Sequence, residues 1–338
     1  MTGAFVRRIT SLAKQAIKSN KTLDSLFYDL ANMGEFSSLY QHEKMLADHL
    51  RVDTYHDAIR AHIKPGNTAI DLGTGTGILA LYAARQGATV YAIDHSSFIR
   101  IAQKIAEKNG TDTIKFVRSN SRRFNPPEKV DFIIHEQMGD DLFNENMIQN
   151  LLDLKRRALK SNGKILPGRF ELFLEPVALK KQYRMPFLWE KPVTVRDLPQ
   201  GVDFSFLRDL PEAKEFQPPG YIRHFLEEAA LDFYLCEPKP ILTFDLNEMD
   251  NGKAIPKEWL ATRRVNRAGG FDGFCLFFRA DFGKGIQLDT RPGSTHWPNR
   301  LFRMPHVEYA VGDTIRYAVQ AVDIRRSYTW AFTIDKTT

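Results

Sequence analysis

Cysteine is nearly missing from this chain: 338 residues hold two, Cys236 and Cys275, and no metal-ligand spacing joins them. That excludes a disulfide framework and a thiolate metal centre, so both read as small buried apolar groups and no metal is expected. No apolar run approaches the roughly 20 residues that a bilayer crossing needs, and the first residues have no signal-peptide core before a small-residue cleavage site. A cytoplasmic protein with no membrane contact is therefore expected. Internal repeats, low-complexity tracts and a dominant polybasic block are also absent. Lys and Arg exceed Asp and Glu by only 47 to 41, a balance that leaves nucleic acid possible as a partner without pointing to it. With 43% hydrophobic and 26% charged residues, the composition is that of a globular protein, and the length suffices for two cores.

The feature that most narrows the function is Asp71-Leu-Gly73-Thr-Gly75-Thr-Gly77. It stands between a strand read as Asn67 to Asp71 and a helix read as Ile78 to Ala84. Glycines at this spacing let backbone pass close to a bound nucleoside. A dinucleotide turn needs G-x-G-x-x-G and a phosphate loop needs G-x-x-x-x-G-K-[ST], whereas here the third glycine comes one residue early and Ile78 follows it. The next strand, Thr89 to Asp94, ends in a carboxylate where ribose hydroxyls should lie. S-adenosylmethionine fits this set best, with NAD as second choice and an ordinary tight turn as the bland alternative.

Strand and helix patterns alternate to about Leu159: helix Ser96 to Lys108, strand Thr113 to Arg118, strand Val130 to Glu136 and helix Glu145 to Leu159. This predicts an α/β fold with a doubly wound parallel sheet. After Gly163-Lys-Ile-Leu-Pro-Gly168 the pattern changes to short β runs, read as Glu171–Val177, Ala230–Cys236, Gly273–Ala280, Asp313–Val322 and Thr329–Ile334. A second, antiparallel domain is expected there. We divide the chain into an N-terminal helical segment 1–40, a Rossmann-like cofactor domain 41–166 and a β domain 167–338. The first 21 residues carry five cations and no acid, with Phe5, Ile9, Leu12 and Ala16 at helical spacing. Such a segment suits either a helix packed on its own domain, which we favour, or a targeting helix. Residues 185–216 combine Pro192, Pro199 and Pro211 with Phe187, Trp189, Phe204, Phe206 and Leu207. They are too apolar for a passive loop and should dock, with a second subunit as the candidate partner.

Glu136 and Glu145 flank the turn after the fourth strand, beyond the carboxyl ends of the sheet where a second substrate sits. Two carboxylates across such a turn can hold a planar guanidinium by both edges. Held so, one terminal nitrogen faces the sulfonium methyl, while positive charge localised on the other nitrogens leaves electron density on the near one. The alternative is that they cap a strand and a helix. Asn125-Pro-Pro-Glu128 superficially matches an amide-methylating signature but precedes its strand and lacks the tyrosine, so it reads as a turn.

Glu136-x-Met-Gly followed by Leu142-Phe-x-Glu145-x-Met147 resembles the double-glutamate loop of the protein arginine methyltransferases. His42-Glu-x-Met45-Leu-x-Asp48-x-x-Arg51 is similar to that family's upstream helix, and Thr295-His296-Trp297 to its T-H-W loop. The resemblance spans roughly residues 34–338. It implies a Rossmann-like methyltransferase domain followed by an antiparallel β-barrel with a dimerisation arm near 185–216, and a homodimer. It places S-adenosylmethionine against His42, Met45, Arg51, Asp71, Gly73, Gly75, Gly77, Asp94 and Ser121, with Arg51 on the methionine carboxylate. Glu136 and Glu145 would grip the guanidinium, while Asp48 and His296 support the site or take up the proton. Phe36, Met147 and Trp297 would line the substrate. Gln137 replaces an expected Trp, Asp140 and Asp141 alter the rim of the acceptor pocket, Arg122 stands where an acid near the adenine amine is expected, and only Phe36 remains of an aromatic lid. The acceptors implied are arginine-type guanidines: free arginine, a guanidino metabolite, a peptide or a protein. Methylation of another amine or of nucleic acid on this fold, or a catalytically weak dimeric scaffold, are the competing readings.

Overall fold

The computed structural model describes residues 38–184, 193–195, 198–208, 210–211 and 220–335. The N-terminal basic segment, Phe36 and half of the apolar 185–216 stretch lie outside them. Two helices, α1 (Leu39–Ala47) and α2 (His49–His62), lead into a five-stranded parallel sheet. Its strands are β1 (Thr68–Leu72), β2 (Thr89–Asp94), β3 (Ile114–Arg118), β4 (Val130–His135) and β5 (Leu159–Leu166), in the order β3-β2-β1-β4-β5. Helices α3 (Ile78–Arg85), α4 (Ile99–Lys108) and α5 (Met147–Ala158) connect β1 to β2, β2 to β3 and β4 to β5. The α4 sequence buries Ile99, Ala102 and Ala106, the helical spacing that turns one stripe to the sheet. Strand order reverses between β1 and β4, the switch point where ligands sit in open α/β sheets. Leu72 pairs with His135 there, so the glycine turn and the glutamate loop leave the sheet side by side.

From β6 (Arg169–Leu179) onward the chain is antiparallel. The short strands β7 (Val193–Val195) and β8 (Leu198–Val202) pair with each other. A seven-stranded sheet takes in β9 (Ile222–Phe225), β10 (Leu231–Tyr234), β11 (Leu242–Asp245), the long β13 (Gly269–Gly283), β14 (Ile286–Asp289) and β15 (Arg300–Tyr309) with β6. A three-stranded sheet joins β12 (Glu258–Arg264), β16 (Thr314–Gln320) and β17 (Ala331–Asp335). The two sheets meet through aromatic rings: Phe274 of β13 stacks on Phe332 of β17 and lies 4.4 Å from the Tyr317 ring of β16. Burying each such ring contributes roughly 1.5–3 kcal/mol.

The α/β sheet followed by antiparallel structure is as expected, with differences in detail. Strands β9, β11, β12, β14 and β15 fall in stretches that alternation alone did not mark. The fourth strand stops at His135 and α5 starts at Met147, so Glu136 and Glu145 both sit in the connecting loop, and Glu145 lies ahead of the Asn146 cap. Asn125 to Glu128 form irregular chain and a bend before β4. Cys236 and Cys275 are both buried free thiols.

Candidate active site

Gly75 has φ +51, and a Cβ there would stand 3.0 Å from the His42 ring; both the backbone conformation and the space call for glycine. Gly77 acts differently. A Cβ on it would meet the Ala102 methyl of α4 at 3.2 Å, so this glycine lets α3 and α4 pack and does not face the cavity. Asp71 likewise departs from expectation. One of its oxygens accepts from the Thr74 hydroxyl at 2.5 Å and from Ala80 N–H at 3.0 Å, and the other has no hydrogen-bond partner. It lines none of the site cavities and braces the loop from behind. Burial pushes its pKa up to about 7. Asp94 faces the cavity and also fixes the loop, accepting from Gly75 N–H at 2.9 Å and Ser96 N–H at 2.8 Å.

Three adjoining cavities follow. The first, about 910 Å³, is lined by His42, Met45, Arg51, Gly73, Gly75, Asp94, Glu136 and Glu145 among others. A second of about 610 Å³ extends from Asp94 past Ser119, Asn120, Ser121 and Arg122 to Asn150. A third of about 900 Å³ is walled by Met45, Glu136, Asp140, Glu145, Phe225, His296 and Trp297. Glu145 borders all three, and Glu136 borders the first and third.

Neutral groups set the start of the glutamate loop. Tyr55 donates its hydroxyl to His135 O at 2.7 Å. The buried His135 ring bonds Pro167 O through Nε2 at 2.9 Å and takes Gln137 N–H on Nδ1 at 3.3 Å, which assigns the proton to Nε2. Burial lowers its pKa to about 4, so the imidazole stays uncharged. Glu136 comes next. Burial raises its pKa, opposed by Arg51 and His296. Arg51 gives Nε and Nη2 to Met45 O at 3.3 and 2.9 Å, while its Nη1 stands 3.9 Å from Glu136. One edge of that fork is therefore on backbone and the other is turned to the carboxylate.

The rest of the loop is fastened from the antiparallel half. Trp297 donates Nε1–H to Met138 O at 2.6 Å. Asp141 is buried against Arg300 at 3.0 Å and Arg223 at 2.7 Å and accepts from the Ser327 hydroxyl. Burial works against its charge, but Arg300 and Arg223 outweigh this and hold its pKa below the ordinary carboxylate value. Arg325 donates to the Asn146 side chain at 2.9 Å. Asp48 caps α2 on Arg51 N–H and takes both the backbone N–H and Nδ1 of His296, at 2.9 and 2.8 Å. Its pKa is lowered: burial opposes the charge, and the His296 and Arg51 hydrogen bonds overcome it.

Of the expected site residues, the structure gathers His42, Met45, Arg51, Gly73, Gly75, Asp94, Ser121, Glu136, Glu145, His296 and Trp297 around connected space. Met147 is fully buried in the core and lines none of it, because helix α5 turns that side chain inward. The Trp297 indole N–H is spent on loop backbone. Asp140 does border the third cavity, whereas Asp141 points away from it into the antiparallel half. Sequence reading missed His135, Arg223, Arg300 and Arg325. Their partners lie far along the chain, and the two unexpected acids after Gly139 were the only visible hint.

Residues 69–163 match the family model described as a methyltransferase domain. Protein arginine N-methyltransferase 6 of Xenopus laevis is 30% identical over 275 residues, 79% of this chain and 78% of the relative. The chain belongs to the protein arginine N-methyltransferase family. These arginine N-methyltransferases are enzymes that depend on S-adenosylmethionine. The Danio rerio protein arginine N-methyltransferase 6 is similar over more of the length, 28% identical across 90% of this chain and 87% of the relative. Solved structures show the same fold. A Trypanosoma brucei PRMT1 enzyme-prozyme heterotetrameric complex with AdoHcy superposes with TM-score 0.72 at 22% identity, covering 89% of this chain and 98% of the other. Arabidopsis thaliana protein arginine methyltransferase 10 gives 0.69 at 23% identity, covering 87% and 92%.

Proposed function

We propose that this arginine N-methyltransferase binds S-adenosylmethionine in the cavities along the glycine loop and methylates a guanidino nitrogen held between Glu136 and Glu145. The observation that carries this reading is the shared wall: both carboxylates border the glycine-loop cavity and the adjoining one. The donor's chemistry fits the residues present. The open approach at Gly73 admits a nucleoside, Asp94 has carboxylate lone pairs left for ribose hydroxyls, and Arg51 is a cation for a carboxylate. His42 and Met45 flank that space, while Ser119, Ser121 and Asn120 supply polar groups at the far end, where Arg122 stands in place of an acid. When bound, S-adenosylmethionine supplies an electrophilic methyl on a sulfonium.

The chain's own groups supply the rest. Glu136 and Glu145 draw the positive charge of the acceptor toward their own side and fix its plane, leaving the third nitrogen to attack. Asp48 holds His296 by Nδ1, which leaves Nε2 as the acceptor of the proton released on methylation, directly or through a water. Trp297 and Met45 shape the pocket around them. The mild basic balance of the chain disfavours long-range attraction of arginine-rich tails. Free arginine, a guanidino metabolite or one particular peptide is therefore proposed as acceptor at least as readily as a protein tail.

We further propose that the chain acts as a homodimer through residues 185–216. Val202 and Phe206 of that stretch are exposed apolar groups at 43% and 59%, which supports docking of this segment. A cytoplasmic location is proposed on two grounds: both cysteines are free, and among the described residues no helix is long and apolar enough to cross a membrane. Mass spectrometry of free arginine, a guanidino metabolite, a single-arginine peptide and an arginine-rich tail, each incubated with enzyme and donor, tests the acceptor. A gain of one or more methyl groups on a small acceptor is expected. Turnover on arginine-rich tails alone discards the small-acceptor reading, and turnover on none discards the guanidine assignment.

A further inference from the structure

Glu136 and Glu145 belong to a loop whose middle is fastened to the antiparallel half. Asp141 is 2% exposed and lies four residues before Glu145. Arg223 of β9 and Arg300 of β15 reach it from neighbouring strands, paired so that Arg300 lies opposite Phe225 and Phe302 opposite Arg223, which puts both cations on one face of the sheet. Arg223 also donates Nε–H to the Ser327 hydroxyl at 2.7 Å, and that hydroxyl donates to the same Asp141 oxygen that Arg223 Nη2 holds. The ring of bonds is closed. Arg300 has a second task, since its guanidinium lies 3.7 Å above the Phe225 ring, a wall of the acceptor cavity. The same side chain thus fixes both the loop and the surface facing it.

We propose that Asp141 is a positioning residue for methyl transfer. Its cluster with Arg223, Arg300 and Ser327 sets the separation of Glu136 and Glu145 by fastening their loop to the antiparallel sheet. The role in transfer rests on the reading of those glutamates as the guanidinium grip, whereas the fastening stands on geometry alone. The loop carries two strained points, Leu142 at φ 68 and Asn146 at φ 55. Non-glycine residues hold such angles only when their surroundings over-determine them. Asp141 stands just before the first, and Arg325 holds the second. Releasing the cluster lets this backbone relax, and a misplacement of about 1 Å at a reacting group costs on the order of 100-fold in rate.

Asp141→Asn, of nearly the same shape, removes the charge. The expected result is a fall in kcat of about 10- to 100-fold, with affinity for S-adenosylhomocysteine by calorimetry within about twofold of the parent. Amide hydrogen exchange should speed up in 136–146 and stay unchanged in 67–94. Arg223→Lys, which keeps a cation, should recover most of the rate that Arg223→Gln loses. Should Asp141→Asn fold poorly, Ser327→Ala removes one bond of the ring and should move exchange and rate the same way to a smaller extent. Parent-like exchange in 136–146 overturns the proposal, and so does loss of cofactor affinity in step with kcat, which would mark Asp141 as a residue of general stability. If the parent enzyme methylates no guanidine, the proposed reaction fails and the positioning role falls with it, although exchange still reads the fastening.

Discussion

At the glycine loop, Asp71 holds Thr74 three residues on and Asp94 holds Ser96 two residues on. At the glutamate loop, Trp297 reaches Met138 across 159 positions, Arg325 reaches Asn146 across 179, Ser327 reaches Asp141 across 186, and His296 reaches Asp48 across 248. The glycine loop is assembled within one βαβ unit, while the glutamate loop is fastened only once the antiparallel half has folded against the parallel one. On the proposed function, two substrates that must meet at one carbon are thus held by parts with different folding requirements. Perturbing the second half should cost acceptor recognition before it costs cofactor binding.

The sharpest way to break that contrast is at the shared wall. Glu145→Gln keeps the shape and removes one charge from the proposed guanidinium grip. Methyl transfer should fall by about 100- to 1,000-fold, with S-adenosylhomocysteine affinity changed by no more than a few fold. Single-turnover kinetics beside calorimetry would check this, and equal loss of both would mean that the two ends are not separable. Gly75→Val is the converse. A branched side chain at φ +51 and against His42 should weaken the nucleoside by about tenfold or more. Acceptor KM at saturating donor should stay within a few fold, read from initial rates.

A smaller effect lies behind the loop. Asp71 has its pKa raised to about 7, so the folded chain binds the proton more tightly than the unfolded one. Its stabilising contribution is complete below the ordinary aspartate value and is lost as pH rises through about 7. In Asp71→Asn that downward slope disappears: relative to the parent, the variant should gain on the order of 4 kcal/mol between pH 4 and 8. Urea titrations of the cofactor-free chain across this range would measure it, and an unchanged slope would place the titration elsewhere. His135 acts in the opposite sense. With its pKa lowered to about 4, stability falls as pH drops from the ordinary histidine value through that point, so the two contributions must be separated by variant.

The same difference in reach decides what could be read from the sequence. Gly73, Gly75 and Asp94 were legible because their spacing is itself the structure: each acts within the same βαβ unit, Gly73 on Ile93 and Gly75 on Asp94. The glutamates were legible by position, since any turn leaving β4 beside β1 must border the crevice. Asp71 and Gly77 carry the right residue types in the right motif, yet serve packing and bracing. Pattern cannot tell a side chain facing the cavity from one facing the helix behind it. Met147 failed for the same reason, because its place after the loop gave no clue to which way α5 turns. Nothing local to Asp141 announces Arg223 or Arg300. The strands that bring them, β9 and β15, were themselves unmarked, because β15 buries five consecutive residues and β9 is largely exposed, so neither alternates strictly.

One carboxylate, Glu145, borders three chambers. On the proposed assignment of those chambers, a synthetic compound that joins a nucleoside to a guanidine through a short tether would reach both partners' places across a single side chain. Linking the two halves would turn the second association into an intramolecular one, so inhibitors of this enzyme are best built as a single molecule.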